Sequence, residues 1–484
     1  MSENLIRKFG KLESYSMFFD DVADDNRLFH IESQIDYYQH LDVMKQSIRK
    51  WSSAHPFLNA KIKKIDSEFY FTKSNQEDDN NELTNVKFLN VKTNEQKEYD
   101  DLVELLLEAE NMTKIKTEQK LWRLTFIKQM NQTNETEFSF NIILSIHHSV
   151  TEGRNMFSLL FSLLDVFEKA YQNKSIDLKH YNFMPSVEDL FIKRNNPNNQ
   201  TTTDVIGLFM PSFIDSEKAK IDSIENTILK YEKYSHVIIT LAENGENYIS
   251  IEELIELAKE NQMKFSFIKL SQEETSKLVR KLKQEKVTMQ SFLNVLLSMA
   301  CRKVYSDLGN ETEKTKTIVT NYTVSLRPFA EDKSEFGYLN LSENMGFLIG
   351  FLYYMQTNEI TLENFWSNVC KENENIKQKL ENKDQYKPIS NFGEKEFDPY
   401  EYLVDTVITN LGILPDSFSL DSMHKIKSGF ISLRSQFALR VFFNNLLTIN
   451  GSLNWSFGYN SYFLSKHQAD IFLQSLKENL RKLF

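Results

Sequence analysis

The stretch from Phe140 to Phe157, "FNIILSIHHSVTEGRNMF", changes its hydrophobic period half-way, and that change constrains the fold more than any other feature of the chain. Up to Ile146 the residues form a near-continuous apolar run, the pattern of a strand buried on both faces. Beyond Gly153 the apolar positions fall at Met156, Leu159, Leu160, Leu163 and Phe167, the spacing of an amphipathic helix. A buried strand passing directly into a helix predicts a mixed α/β fold. The turn between them holds two of the chain's nine histidines, His147 and His148. Turns of this kind carry reactive side chains because the flanking elements fix them in place while the loop leaves them accessible.

The same alternation continues on both sides. Leu41, Met44, Ile48 and Trp51 lie at helical spacing, after which the chain turns through Pro56 into a strand. "SEFYFTK" and "WRLTFIKQM" read as strands, and the acidic "SNQEDDNNEL" between them reads as a surface loop. From "KRNNPNNQTTTD", Lys193 to Asp204, apolar periodicity disappears, as in a linker or crossover. The second half begins afresh with a strand, a capped charged helix starting near Ser271, and a buried helix through Phe292, Leu293, Leu296 and Leu297. "TIVTNYTVSLRPF", "NMGFLIGFLYYM", "LVDTVITNLGIL" and "RVFFNNLLTINGSLNWSFGYN" are strand-like, and "HQADIFLQSLKENLRKLF" is helical. At 484 residues the chain exceeds what one core holds, so two domains are expected, 1–192 and 231–484, joined by a linker or crossover over 193–230.

Lysine and arginine number 57 against 68 aspartates and glutamates, a net charge of -11, and no basic run stands out. That balance excludes a nucleic-acid surface, which needs a concentrated basic face to neutralise phosphates. Two cysteines, Cys301 and Cys370, are too few for a disulfide framework or a cysteine-rich metal site. The chain does not open on a signal peptide, and no run of about 18 apolar residues occurs, so no transmembrane segment and a cytoplasmic location are expected.

Three readings of the histidine pair compete. Ser149 and Glu152 fit a capping box, S-x-x-E, in which case the turn is only a helix N-terminus. Imidazoles with a carboxylate can also hold zinc, but consecutive strand residues point to opposite faces, so His147 and His148 are poorly placed to share one ion, and no metal site is expected. In the third reading one histidine is a general base, since imidazole has its ordinary pKa near neutrality and can take a proton from a hydroxyl, amine or thiol attacking an acyl carbonyl. No G-x-S-x-G nucleophile motif is present, so the chemistry would be direct transfer between two bound substrates.

"HHSVTEG" resembles the HHxxxDG signature of the acyltransferase superfamily that includes chloramphenicol acetyltransferase, peptide-synthetase condensation domains and the alcohol acetyltransferases. The resemblance extends along the chain. "RKFGKLESY" is similar to that family's opening segment, "SAHPFLNAKI" to its hP-x-L segment, "LSQEETSKLVRKLKQEKVTMQSFL" to the helix pair opening its second half, "TVSLRPF" to its n-L-R-P motif and "ITNLG" to its S-N-x-G motif. The resemblance implies two chloramphenicol acetyltransferase-like domains, each a mixed, largely antiparallel sheet with helices, enclosing a tunnel. It implies His148 as the base, His147 and Gly153 as structural members of the motif, and Arg327 paired with Glu152. It further implies Thr409 as a donor to the tetrahedral oxyanion and Asn410 as support for that segment. Acyl-coenzyme A would be a co-substrate rather than a resident cofactor, entering from one mouth, with a small alcohol or amine acceptor at the other.

Two positions depart from the family pattern. Glu152 replaces aspartate, and Thr409 replaces serine, which keeps the hydroxyl but restricts its rotamer. The D-F-G-W-G motif of plant acyltransferases is missing, with only "NWSFGYN" faintly similar, which favours an alcohol acetyltransferase-like enzyme. Two alternatives stand beside it: condensation using carrier-bound acyl groups, and a binding module that keeps the fold without catalysis. The site of the coenzyme phosphates is not legible, since "RKLKQEK" is basic but charged helices usually face solvent.

Overall fold

The computed structural model describes residues 5–18, 24–73, 83–130, 136–192, 216–242, 248–307, 317–329, 344–388, 404–414, 422–433 and 440–483. The expected loop over 74–82 and the stretch 193–215 of the expected linker lie outside the described residues.

The described strands are β1 (Leu5–Lys8), β2 (Asp24–Ser33), β3 (Ala60–Ile65), β4 (Glu68–Lys73), β5 (Val86–Lys92), β6 (Trp122–Gln129), β7 (Phe138–His147), β8 (Ile238–Leu241), β9 (Tyr248–Ile249), β10 (Met263–Lys269), β11 (Ile318–Ser325), β12 (Ile349–Gln356), β13 (Val404–Ile413), β14 (His424–Leu433), β15 (Arg440–Ile449) and β16 (Ser452–Asn460). They form two large sheets and a small one. The first large sheet runs β14-β2-β7-β6-β5-β8-β9, the second β10-β16-β15-β13-β11-β12, and the small one β1-β4-β3. Both large sheets are mixed. In the first only β5 and β6 are parallel, and in the second β11, β13 and β15 run parallel while the other pairs are antiparallel.

The helices are α1 (Lys11–Phe18), α2 (Leu41–Ala54), α3 (Gln96–Met112), α4 (Gly153–Tyr171), α5 (Ser216–Tyr231), α6 (Ile251–Lys259), α7 (Gln272–Glu285), α8 (Met289–Asp307), α9 (Phe365–Glu381) and α10 (Lys466–Leu483). The local signals account for several of them. α2 buries Met44, Ile48 and Trp51 and gives way to a 3-10 turn at Pro56. α7 opens on the expected capping box, with Ser271 and Glu274 satisfying each other's backbone N–H. β15 and β16 form a hairpin through Asn450 and Gly451, both at positive φ (48° and 73°), the conformation a two-residue hairpin turn demands. None of the described helices is long and apolar enough to cross a membrane.

The sheets do not follow the order of the chain. β8 pairs with β5, and β14 pairs with β2, so strands on the far side of the expected linker complete the first sheet. Part of that linker is itself ordered: 216–231 form α5, whose Lys230 reaches Glu104 of α3 at 2.6 Å while Tyr231 is buried. The apolar core below the first sheet takes in Leu326, Phe347, Leu414, Ile431 and Leu447 from the second half as well. Residues of the second half thus join the apolar core of the first, while a separate apolar cluster that includes Leu293, Leu296, Phe442, Trp455 and Phe472 packs the second sheet against its helices.

Candidate active site

β7 lies between β2 and β6, antiparallel to both, and carries the histidines to its end beside the start of β2. His147, the last residue of β7, is 1% exposed. Its Nδ1 accepts from the backbone N–H of Ser149 (3.3 Å) and lies 2.8 Å from the Ser149 hydroxyl. His147 thus closes the turn from inside the core. His148 begins the 3-10 turn that follows and faces the other way, its side chain 21% exposed. The Nδ1 of His148 lies 3.1 Å from the carbonyl oxygen of Thr151. A carbonyl only accepts, so Nδ1 carries the proton and Nε2 is left with its lone pair.

The capping box that Ser149 and Glu152 could form is absent from this turn. Ser149 is engaged by His147, and Glu152 is itself the N-cap of α4, in extended conformation, without capping through its side chain. The Glu152 carboxylate instead pairs with Arg327 in the 3-10 turn after β11. Both are buried, with side chains 3% and 8% exposed. Burial pushes the Glu152 carboxyl above its ordinary range, and the Arg327 charge pulls it back. The same guanidinium donates to the carbonyls of Asn344 and Gly346, both at 3.1 Å, and Asn155 of α4 donates to Asn344 as well (2.8 Å). This clamp fixes the segment that sets the Phe347 ring 4.6 Å from the His148 ring. The Glu152 carboxylate therefore ties the start of α4 to the turn after β11.

Gly153, the last residue of the motif, is explained by close approach. A Cβ there would stand 2.7 Å from the Leu411 side chain and 3.2 Å from Arg27 Nη2, so any larger residue would push the Leu411 side chain aside and crowd the Arg27 guanidinium.

His148, Glu152, Gly153, Thr409 and Asn410 meet around one cavity of about 140 Å³ between the lobes. Arg327 supports it from behind through Glu152. Thr323 and Ser325 of β11 and Asn445 of β15 complete its wall on the second sheet. Asn410 also accepts from the backbone N–H of Gly412 (3.0 Å), which holds the bulge where β13 departs from β15.

Asp25 and Arg27 of β2 were not picked out by sequence reasoning, yet they line the same cavity. They form a buried ion pair at 2.5 Å, with side chains 1% and 2% exposed, and Asp25 Oδ2 lies 4.0 Å from His148 Nδ1. Burial lowers the pKa of His148 below its ordinary 6.5; Asp25 opposes that shift, while Arg27 and Arg440 add to it. The available signal was "DDNR", four consecutive polar residues directly before the apolar Leu28 and Phe29. The burial of His148 has a kinetic consequence if it serves as a base in its neutral form: with its pKa lowered, kcat/KM should hold from neutrality down to below pH 6.5 and fall only beneath that. A profile of kcat/KM against pH checks this; an acid limb above pH 6.5 would contradict it.

No family model and no curated protein sequence matches the chain. Solved structures do. The trichothecene 15-O-acetyltransferase TRI3 from Fusarium sporotrichioides superposes with a TM-score of 0.64 at 13% identity, covering 99% of this chain and 94% of that one. Polyketide synthase associated protein 5 from Mycobacterium tuberculosis gives 0.63 at 12%, covering 98% and 97%. The condensation domain of the Monacolin K polyketide synthase MokA gives 0.59 at 11%, covering 99% and 98%. The chain has the two-lobed condensation and acetyltransferase fold. In this two-lobed fold the histidine turn, Thr323 and Ser325 of β11 and Thr409 of β13 converge from three distant parts of the sequence on a single cavity.

Proposed function

We propose that the protein transfers an acyl group from acyl-coenzyme A to the hydroxyl or amine of a small molecule, with His148 as general base and both substrates bound together. The observation that carries this reading is the orientation of His148: its proton is committed to the Thr151 carbonyl, and its Nε2 is free to accept inside a cavity that also holds the Thr409 hydroxyl. The acceptor's lone pair attacks the thioester carbonyl while His148 takes the acceptor's proton. The carbonyl's π electrons move onto its oxygen, where Thr409 donates. Collapse of the tetrahedral intermediate expels the thiolate of coenzyme A, which recovers the proton from His148.

The intact Glu152–Arg327 pair supports a working site over a catalytically silent module. Condensation with a carrier-bound acyl group is the second reading, favoured by the likeness to condensation domains such as that of MokA. Incubation with acetyl-coenzyme A and a panel of alcohols and amines, followed by mass spectrometry, tests the first reading. Acylated acceptor supports it; product only from carrier-bound acyl groups supports the second. Thr409 gives a sharper prediction. Thr409→Val should lower kcat by about 10²- to 10³-fold with little change in donor affinity, and Thr409→Ser should be tolerated. Full turnover in the valine variant would remove Thr409 from the reaction.

A further inference from the structure

We infer that Asn445 is a catalytic residue, its side-chain amide acting with the Thr409 hydroxyl to hold the oxyanion of the tetrahedral intermediate. The inference rests on the acyl-transfer reading and adds a group to that site. Asn444 and Asn445 sit side by side on β15 and have opposite fates. Asn444 is fully satisfied: its Nδ2 donates to the Thr406 hydroxyl (2.9 Å) and its Oδ1 accepts from the Trp455 indole (3.0 Å). Asn445 faces the other side of the sheet, in line with Phe443 and Leu447, and is 1% exposed. Its Nδ2 finds no hydrogen-bond partner among the described residues.

An amide between a phenylalanine and a leucine on one buried face is an expensive choice unless something completes it, because a desolvated donor loses its bonds to water. The thing that completes it must come from the cavity, since Asn445 lines the wall that faces His148. Its position selects the partner. Asn445 is the register partner of Thr409 on the neighbouring parallel strand, and both side chains reach the same cavity. Adjacent strands stand about 4.8 Å apart, while two donors can each sit about 2.9 Å from one shared oxygen when they are separated by up to roughly 5.8 Å. One strand pair can therefore present two donors to a single oxyanion. The terminal amide has two near-equivalent orientations, so a half-turn about χ2 brings the NH₂ group to whichever side the oxygen occupies.

The same cavity holds one other buried donor without a partner among the described residues, Arg27 Nη1. Arg27 lies on β2, in the opposite sheet, and already neutralises Asp25. It is suited to hold Asp25 near His148, whereas Asn445 stands beside Thr409.

Release of free thiol from acetyl-coenzyme A, measured with and without acceptors, tests the inference. Asn445→Leu fills a similar volume and removes an unsatisfied amide, so it should fold with a Tm equal to or above that of the parent. We expect its kcat for thioester cleavage to fall about 10²- to 10³-fold, with KM for acetyl-coenzyme A nearly unchanged. Asn445→Asp, of the same shape but negatively charged, should fall at least as far. The Thr409→Val/Asn445→Leu double variant should lose less than the product of the two single losses, as donors to one oxygen do not act independently. A folded Asn445→Leu protein with parental kcat overturns the assignment of Asn445 and leaves the acyl-transfer reading standing. A parent protein that cleaves no thioester, with or without acceptor, overturns the acyl-transfer reading and this inference together.

Discussion

His148→Ala should lower acyl transfer by about 10²-fold or more at saturating acetyl-coenzyme A, with donor affinity nearly unchanged. Of the two histidines, His148 is the one that lines the cavity. Its imidazole stands against Phe347 and beside Asp25 rather than in any bond that holds the lobes together. His147→Ala should behave differently. Its ring is part of the interior and supports Ser149, so its removal leaves a buried hydroxyl short of a partner, a loss of roughly 1 to 3 kcal/mol of stability. Comparison of kcat and Tm for the two variants separates the roles. Equal losses of kcat, with both proteins folded, would sink the assignment of His148 as the base.

The second large effect should appear in stability. Glu152 and Arg327 meet across the lobes with almost no solvent contact, so removing one partner strands the other's charge, at about 3 to 5 kcal/mol. Arg327→Met should cost more than Glu152→Gln, because the guanidinium also satisfies the carbonyls of Asn344 and Gly346. Glu152→Asp keeps the charge but shortens the reach to Arg327, and should fall between the parent and Glu152→Gln. The double variant Glu152→Gln/Arg327→Met should lose clearly less than the sum of its parts, since neither charge is then left alone. Chemical denaturation of the four proteins gives the coupling directly. Additive losses would mean that the pair contributes nothing as a pair, contrary to the geometry.

Much of this arrangement was legible along the chain wherever the cause is local. The period change at Gly153 marks the strand and helix that hold the histidine turn, because side-chain direction in each element follows from its own repeat. Ser271 and Glu274 announce α7, since a capping box needs only residues three apart. The resemblance of short motifs brought Glu152 and Arg327 together although 175 positions separate them. Where several local signals met, as at Ser149, the tertiary structure chose between them. The hydroxyl that fits a capping box serves His147 instead, because Glu152 is drawn away by a cation that no neighbouring residue reveals.

β14 shows the limit most clearly. Nothing in "HKIKSGFISL" says that it leaves the lobe of β13 and β15 to pair with β2 almost four hundred residues earlier, yet that pairing brings Ile431 to Arg27 at the cavity wall. The expected linker holds α5 for a similar reason: its apolar face is short and weakly periodic, and it becomes helical against α3. Asp25, Arg27 and Asn445 escaped sequence reading because their burial is set by strands they do not touch in the chain, so their polar atoms look ordinary until the sheets close over them. The elements and the histidine turn could be read along the chain, for they depend on hydrophobic period and on hydrogen bonds a few residues long. Which strands cross between sheets, which charges lose their water and which buried donors are left without a partner emerge from the fold, because those depend on pairings hundreds of residues apart, where local propensity carries no information.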